Sequence, residues 1–411
     1  MSSSSTVGSR HLSWLVKSCF PNPHQTHNPI AAAASATTIA SLPDDLLLEC
    51  LARVSPPTLF ALPSVCPRWA HLINSTAFHS FRRRHHLLLH TLFAISISDN
   101  FTLLTAALRL DQDGTGDQWK LSSFVPSKEI DGGVGLDFAL YSHPRLASVG
   151  RRIYIIGRTA MLRCDTWTGS LVPRAGTLYP RKKFAVAVVE GKILVAGGCG
   201  RSSAVEEYDP DANSWRVVSE SPRRRYGCIG ASADGVFYII GGLKIGQSGD
   251  DDQSCAAARA YASSMDLYDV ASKLWLRSRA VPAGGCVVAA CAANESVYIL
   301  SSHAVELSFW KFNASRRSDG FGEWRRIRSP PVLAQVRLDG KVRFSCVGFG
   351  DKVVLVQVVG CIDDLLRRSG RTERGRKERL VLVYDGADDE WSRAADMAEL
   401  IRRAAVVCVK C

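Results

Sequence analysis

The spacing of apolar and polar positions changes once along this chain, and the change divides it into two parts. Between Ser41 and Ile73 the apolar residues recur at helical spacing. Ser41, with Asp44 three residues later, makes a capping-box-like start, and Pro43 falls in the first turn, where a missing amide donor is harmless. Leu42, Leu46, Leu47, Cys50, Leu51 and Val54 then form one apolar stripe. Pro56 and Pro57 stop that helix and open a second, which carries Leu59, Phe60 and Leu62; a third bears Val65, Cys66, Trp69, Leu72 and Ile73. Three helices in about 35 residues make a small core, so the surplus of large apolar side chains predicts that this unit docks on something.

From Leu87 onward the period is that of strands, punctuated by turns. Two segments, 183–198 and 225–242, align with a single short gap at the turn. Each reads as strand, tight turn at Gly191 or Gly235, strand, and a glycine pair. A strand ending Tyr208-Asp209 or Tyr268-Asp269 follows, with Trp215 or Trp275 six residues after the aspartate. Weaker copies surround these: Ile153–Gly157 with Trp167, Val297–Ser302 with Trp324, and Val353–Gly360 with Tyr384, Asp385 and Trp391. The tryptophans at 119, 167, 215, 275, 324 and 391 step by 48, 48, 60, 49 and 67 residues, and the long steps coincide with polar insertions at 244–262 and 363–379. Insertions of this kind belong in loops. Six such units predict a small all-α region followed by an all-β six-bladed β-propeller. Its closure is legible too: Ala404–Val409 is a strand without a blade, while Leu87–Ser96, Phe101–Leu110 and Gln118–Ser123 are three strands lacking a fourth. Joining them would remove a sheet edge. The resulting division is a tail over 1–40, a helical unit and linker over 41–86, and a propeller over 87–411.

Composition adds limits. Of 411 residues, 46% are apolar, and 51 Lys and Arg against 39 Asp and Glu give a formal charge of +12. A polyanionic partner stays open, but affinity needs that charge gathered on one face. The longest apolar runs, such as Cys286–Ala293, fall short of the ~18–20 residues that span a bilayer, so no membrane helix is expected. Residues 1–40 contain no acid and are rich in Ser, Ala, Thr and His, a composition expected to stay disordered. It also has the look of an organelle-targeting segment, although only Arg10 and Lys17 supply charge. Thirteen singly scattered cysteines make no disulfide framework and point to a reducing compartment, cytoplasm or nucleus. The Cys408-x-x-Cys411 pair has no second pair to complete a zinc site.

Leu42-Pro-Asp-Asp-Leu-Leu-Leu-Glu-Cys-Leu-Ala-Arg-Val54, then Leu59, Val65-Cys-Pro-Arg-Trp69 and Leu72-Ile73, resembles an F-box. The Gly-Gly, Tyr-Asp and Trp units resemble kelch repeats, and the combination over 42–411 is similar to plant F-box/kelch-repeat proteins of the attenuated-far-red-response type. The resemblance implies a non-catalytic substrate-recognition subunit of a Skp–cullin–F-box ubiquitin ligase. A Skp-family adaptor would bind through Leu42, Pro43, Leu46, Leu51, Val54, Leu59, Val65, Cys66 and Trp69, and the propeller would capture a protein target for ubiquitination and degradation. Pro67 departs from the family pattern, which has a basic residue there.

Other readings are weaker. Some kelch propellers are copper oxidases, but His90, His143 and His303 form no ligand cluster by spacing, and the acid pairs Asp44-Asp45, Asp250–Asp252 and Asp388–Glu390 read as solvated loops or caps. No phosphate loop or nucleophile motif appears, so neither catalytic residues, metal nor cofactor are expected. A scaffold or nucleic-acid binder without a ligase role is the alternative, using the basic runs Arg82–Arg84, Arg181–Lys183 and Arg223–Arg225. Aligning the units also places Arg145, Lys183, Arg225, Gly285, Arg343 and Arg403 at the start of each first strand. Their five basic members, Arg145, Lys183, Arg225, Arg343 and Arg403, would ring the channel mouth and suit an acidic or phosphorylated target.

Overall fold

The computed structural model describes residues 39–59, 61–98, 102–110, 118–122, 124–126, 138–141, 143–244, 261–303, 306–317, 319–331, 343–359, 380–397, 401 and 403–411. The N-terminal tail through residue 38 and the bodies of both insertions lie outside the described residues. The chain divides into two units, residues 1–47 and 48–411. In the first, a short turn at Ile39–Ser41 leads into helix α1 (Asp44–Ala52), and Leu47 N donates to Pro43 O at 3.0 Å. Asp44 and Asp45 stand in its first turn, where their charge meets the positive end of the helix dipole.

The second unit holds the rest of α1, then α2 (Pro56–Leu59), α3 (Pro67–Asn74) and α4 (Thr76–Arg84). Pro67 is the first residue of α3, a place that needs no amide donor, so this departure from the family pattern is structurally neutral. Helix α4 occupies residues that the sequence pattern leaves as linker. Ser75 starts it, its Oγ accepting from Phe78 N at 3.1 Å.

Six blades follow. Blade 1 contains β1 (His90–Ile97), β2 (Leu103–Leu110) and β3 (Lys120–Ser122). Blade 2 contains β4 (Val125–Pro126), β5 (Arg145–Val149), β6 (Arg152–Ile156), β7 (Met161–Asp165) and β8 (Ser170–Arg174), with β4 parallel to β8. Blade 3 is β9 (Ala185–Val189), β10 (Lys192–Ala196), β11 (Ala204–Asp209) and β12 (Ser214–Glu220). A small ribbon of β13 (Arg225–Tyr226) and β16 (Leu243–Lys244) flanks blade 4, which is β14 (Ile229–Ala233), β15 (Val236–Ile240), β17 (Ser264–Asp269) and β18 (Leu274–Ala280). Blade 5 is β19 (Cys286–Ala293), β20 (Ser296–His303), β21 (Glu306–Asn313) and β22 (Trp324–Ile327); blade 6 is β23 (Arg343–Phe349), β24 (Lys352–Val359), β25 (Val381–Asp385) and β26 (Glu390–Arg393). The final strand, β27 (Ala405–Lys410), pairs antiparallel with β1, from His90 opposite Lys410 to Ile95 opposite Ala405. Blade 1 therefore joins the two ends of the propeller in the order β27-β1-β2-β3. The innermost strands β27, β5, β9, β14, β19 and β23 each lie beside the next, and β23 returns to β27.

The core is a set of seams between blades rather than a central mass. Tyr154, Ile156 and Met161 of blade 2 pack on Phe184, Ile193, Val195, Tyr208 and Trp215 at blade 3. The blade tryptophans reach backward across these seams. Trp215 Nε1 donates to Ala175 O at 2.7 Å, Trp275 Nε1 to Ser219 Oγ at 2.9 Å, Trp391 Nε1 to Arg328 O at 2.8 Å and Trp119 Nε1 to Ala395 O at 2.9 Å. Each acceptor stands in or beside the outer part of the preceding blade. Each indole thus contributes contact area and a satisfied donor together.

Two repeat assignments change. Trp167 is not a blade tryptophan: it stands two residues after Asp165, in the β7–β8 turn, where its amide donates to Asp165 Oδ1 at 3.0 Å. The position six after Asp165 is Leu171, fully buried. The gap between the two best repeats also disappears. Blades 3 and 4 run in step without it, with Arg181 matching Arg225, Ala185 matching Ile229 and Gly197 matching Gly241.

Candidate functional site

Antiparallel alternation sends the first-to-second and third-to-fourth strand turns of each blade to one end of the propeller. The second-to-third turns and the crossovers between blades lie at the other. The two ends carry different chemistry.

At the crossover end, two arginines are structural clasps. Arg181 Nε donates to Glu206 Oε1 at 2.8 Å, while Nη1 and Nη2 donate to Gly197 O and Ala204 O at 2.7 and 2.6 Å. Arg225 repeats this one blade on: Nε to Asp266 Oδ2 at 2.8 Å, Nη1 to Gly241 O and Tyr261 O, both at 2.8 Å, and Nη2 to Ser264 Oγ at 2.9 Å. Both side chains and both carboxylates are completely buried. Arg225 therefore does not belong to the cationic ring. Its fork is spent on tying a crossover to the second and third strands of its own blade.

What does line the mouth, among the described residues, is a set of positions two places before five of the six inner strands; the one before β23 lies outside the described residues. His143 before β5, Lys183 before β9, Gly227 before β14, Gly284 before β19 and Arg403 before β27 all have left-handed backbone, with φ of 60°, 54°, 75°, 66° and 53°. Glycine holds this conformation freely, whereas any other residue pays about 1–2 kcal/mol for it. Three of the five positions nevertheless carry basic side chains. Lys182, Arg343 and Arg403 are exposed; Lys183 is half-buried, its Nζ 5.5 Å from the Tyr226 ring centre. Burial and then the charges of Lys182, Arg403, Lys183 and Arg343 hold the His143 imidazole below its ordinary pKa, so these groups share one field. Arg145 is half-buried beneath them, its Nη2 donating to Cys228 O at 3.1 Å, and the nearby Arg343 charge adds to burial in lowering its pKa.

At the opposite end, blade 2 holds helices α3 and α4. Trp167, 2% exposed, meets Phe78 edge-on with ring centres 5.1 Å apart and lies 5.8 Å from His79. Two guanidinium groups cover its ring, Arg151 at 4.5 Å and Arg82 at 5.6 Å. Arg151, in the β5–β6 turn, donates to Asp165 Oδ2 at 2.8 Å, Ile73 O at 3.1 Å and Asn74 Oδ1 at 2.7 Å. Arg82 of α4 donates to Ala52 O at 2.8 Å, Val54 O at 3.2 Å and Leu87 O at 3.0 Å, capping the carbonyl end of α1 with a cation.

A model of the F-box domain matches residues 39–81, and one of the Kelch motif matches residues 180–222, the span of the first clasp and its tryptophan. An F-box/kelch-repeat protein of Arabidopsis thaliana, At5g26960, is 58% identical over 419 aligned residues, covering 99% of this chain and 100% of that one. This chain belongs to the F-box/kelch-repeat family. A second Arabidopsis F-box/kelch-repeat protein, At1g67480, is 26% identical over half of this chain and 54% of its own length. The solved structure of YjhT aligns with a TM-score of 0.45 at 16% identity, over 63% of this chain and 84% of that one.

Within this F-box/kelch-repeat chain the expected adaptor contacts separate by burial. Leu51 and Leu59 are buried, 3% and 0% exposed, so they hold the helices together and offer no free surface. Leu46 is 48% and Val65 59% exposed, Pro43 is exposed, and Leu42, Val54, Cys66 and Trp69 are half-buried. Each of the three basic runs considered for nucleic acid loses a member to the interior, since Arg82, Arg181 and Arg225 are 2%, 1% and 0% exposed. Among the described residues, no three His, Cys, Asp or Glu side chains are grouped to hold a metal.

The F-box/kelch-repeat fold should weaken in mild acid. Burial first, and then nearby cations, lower the pKa of three histidines: Arg83 and Arg151 beside His79, Lys410 beside His90, and the mouth cations around His143. The unfolded chain takes up these protons near pH 6.5 while the folded chain refuses them until lower pH, so the unfolded state binds more protons in that window. Stability is then fully present above about pH 6.5 and falls as pH drops through the folded values. Urea unfolding at pH 7.5 and 5.5 should give the lower midpoint at 5.5, and His90→Gln should narrow the difference.

Proposed function

We propose that this F-box/kelch-repeat protein is the substrate-recognition subunit of a Skp–cullin–F-box ubiquitin ligase. The F-box binds a Skp-family adaptor, and the propeller captures, at its cationic mouth, a protein bearing an acidic or phosphorylated segment. The chain does no chemistry itself; it brings the target to the ligase, in the reducing environment of cytoplasm or nucleus. Several features support this reading: the family membership, the exposed apolar Leu46 and Val65 of the F-box, and a cationic mouth at the propeller end away from α3 and α4. One observation carries most weight. His143, Lys183 and Arg403 hold a backbone conformation that glycine takes in blades 4 and 5, and strain of this kind persists at sites that use the side chain.

The test follows from that strain. In Lys183→Gly with Arg403→Gly, relief of left-handed backbone should leave thermal unfolding unchanged or raised, by up to about 1 kcal/mol per site. Binding of a fluorescein-labelled Asp/Glu-rich peptide, and of its phosphoserine form, should weaken at least about tenfold, equivalent to ~1.4 kcal/mol. Binding of both peptides to the folded variant at wild-type affinity would remove the mouth as the capture site.

A further inference from the structure

Cys291 in β19 and Cys346 in β23 lie on neighbouring innermost strands of blades 5 and 6, with their Sγ atoms 3.0 Å apart. The two backbones are pressed together at this point. A Cβ placed on Gly348, two residues beyond Cys346, would stand 2.0 Å from Ala292 O, the residue after Cys291. A disulfide bond is ~2.05 Å long, so the sulfurs need to close only ~1 Å. Cys346 is half-buried and reachable, while Cys291 is 6% exposed.

We propose that Cys291 and Cys346 are a peroxide-oxidisable dithiol, a modification site that closes to a disulfide and staples blade 5 to blade 6 at the channel wall. Cys346 is the attacking sulfur: its S–O bond forms as the O–O bond of hydrogen peroxide breaks, and the leaving hydroxide takes the thiol proton as water. Cys291 resolves the resulting sulfenic acid. Its sulfur forms the S–S bond, the S–O bond breaks, and a second water leaves with the Cys291 proton. Two thiols lose two electrons and one peroxide becomes two waters. Burial and the Cys346 sulfur both push the Cys291 thiol up, so its thiolate is scarce and the first attack falls to the more exposed Cys346. The bond would tie positions 55 residues apart, restricting the unfolded chain, and would fix β23, whose first residue is the mouth residue Arg343. The staple does not depend on what the mouth binds.

The test uses the full reduced chain, oxidised with hydrogen peroxide and digested with trypsin without reductant. Peptide 280–311 should appear joined to peptide 344–352, two hydrogens lighter than their sum, with a raised thermal midpoint that dithiothreitol reverses. Cys286 shares the first peptide, so the link must persist in Cys286→Ser. It must vanish, together with the stabilisation, in Cys346→Ser. Oxidation confined to the exposed Cys50 and Cys286, linkage only between chains on a non-reducing gel, or an equal rise in midpoint for Cys346→Ser would each overturn the proposal.

Discussion

Trp167→Ala should release the F-box helices from the propeller and destabilise the chain by about 3–5 kcal/mol, the range for deleting a buried aromatic ring. Burial dominates that figure. The two cation–π contacts are desolvated and worth about 1–2 kcal/mol each within that total, and Arg151 keeps its bonds to Asp165, Ile73 O and Asn74. The location of the damage matters more than its size. Trp215→Ala should cost a similar amount, but at a seam between blades 2 and 3, leaving α4 docked. Limited proteolysis distinguishes them. In Trp167→Ala, cleavage around Arg83–His86 should quicken while the propeller fragment survives; equal cleavage rates in both variants would mean that Trp167 does not hold the helices.

Arg225→Met should cost about 3–5 kcal/mol, because it strands the Asp266 carboxylate in a completely buried place. Ser278 Oγ still donates to Asp266 at 2.7 Å and Arg223 lies 3.6 Å away, so the loss belongs at the lower end of that range. Removing both partners is different, since an apolar pair of similar volume needs no compensation. Arg225→Met with Asp266→Leu should therefore recover most of the stability. Urea titration of the two single variants and the double gives the coupling directly. A loss below about 1 kcal/mol in Arg225→Met would contradict the clasp. Arg181 and Glu206 form the same clasp in blade 3 and should behave alike.

These two residues also mark where sequence reading succeeds and fails. The helical stripe of the F-box and the strand–turn–strand units were legible because their periods are those of half-buried helices and sheets, and the Tyr-Asp and Trp positions recur. Trp167 was misplaced because step length alone cannot tell a tryptophan six residues past an aspartate from one two residues past it. Arg225 was misplaced by an alignment slipped two residues, which set it against Lys183 where both are basic. The available signal was a carboxylate at the matching third-strand position of blades 3 and 4, Glu206 and Asp266, which an arginine must partner if it is buried. The left-handed positions of the mouth left no trace in composition, because basic residues stand where relaxed backbone would call for glycine. Only strand boundaries bring His143, Lys183 and Arg403 into line with Gly227 and Gly284. Leu51 shares a helical stripe with the exposed Leu46, and spacing does not say which flank meets the core.

On the proposed function the chain is a two-handed adaptor, its F-box engaging a Skp-family protein independently of the mouth. Size-exclusion chromatography of purified components tests it most directly. Wild-type chain should elute with a Skp-family adaptor as a stoichiometric complex. Lys183→Gly with Arg403→Gly should do the same, and Leu46→Asp with Val65→Asp should elute alone while remaining folded. A wild-type chain that never joins the adaptor, or a folded Leu46→Asp, Val65→Asp variant that joins it as well as wild type, would contradict the account.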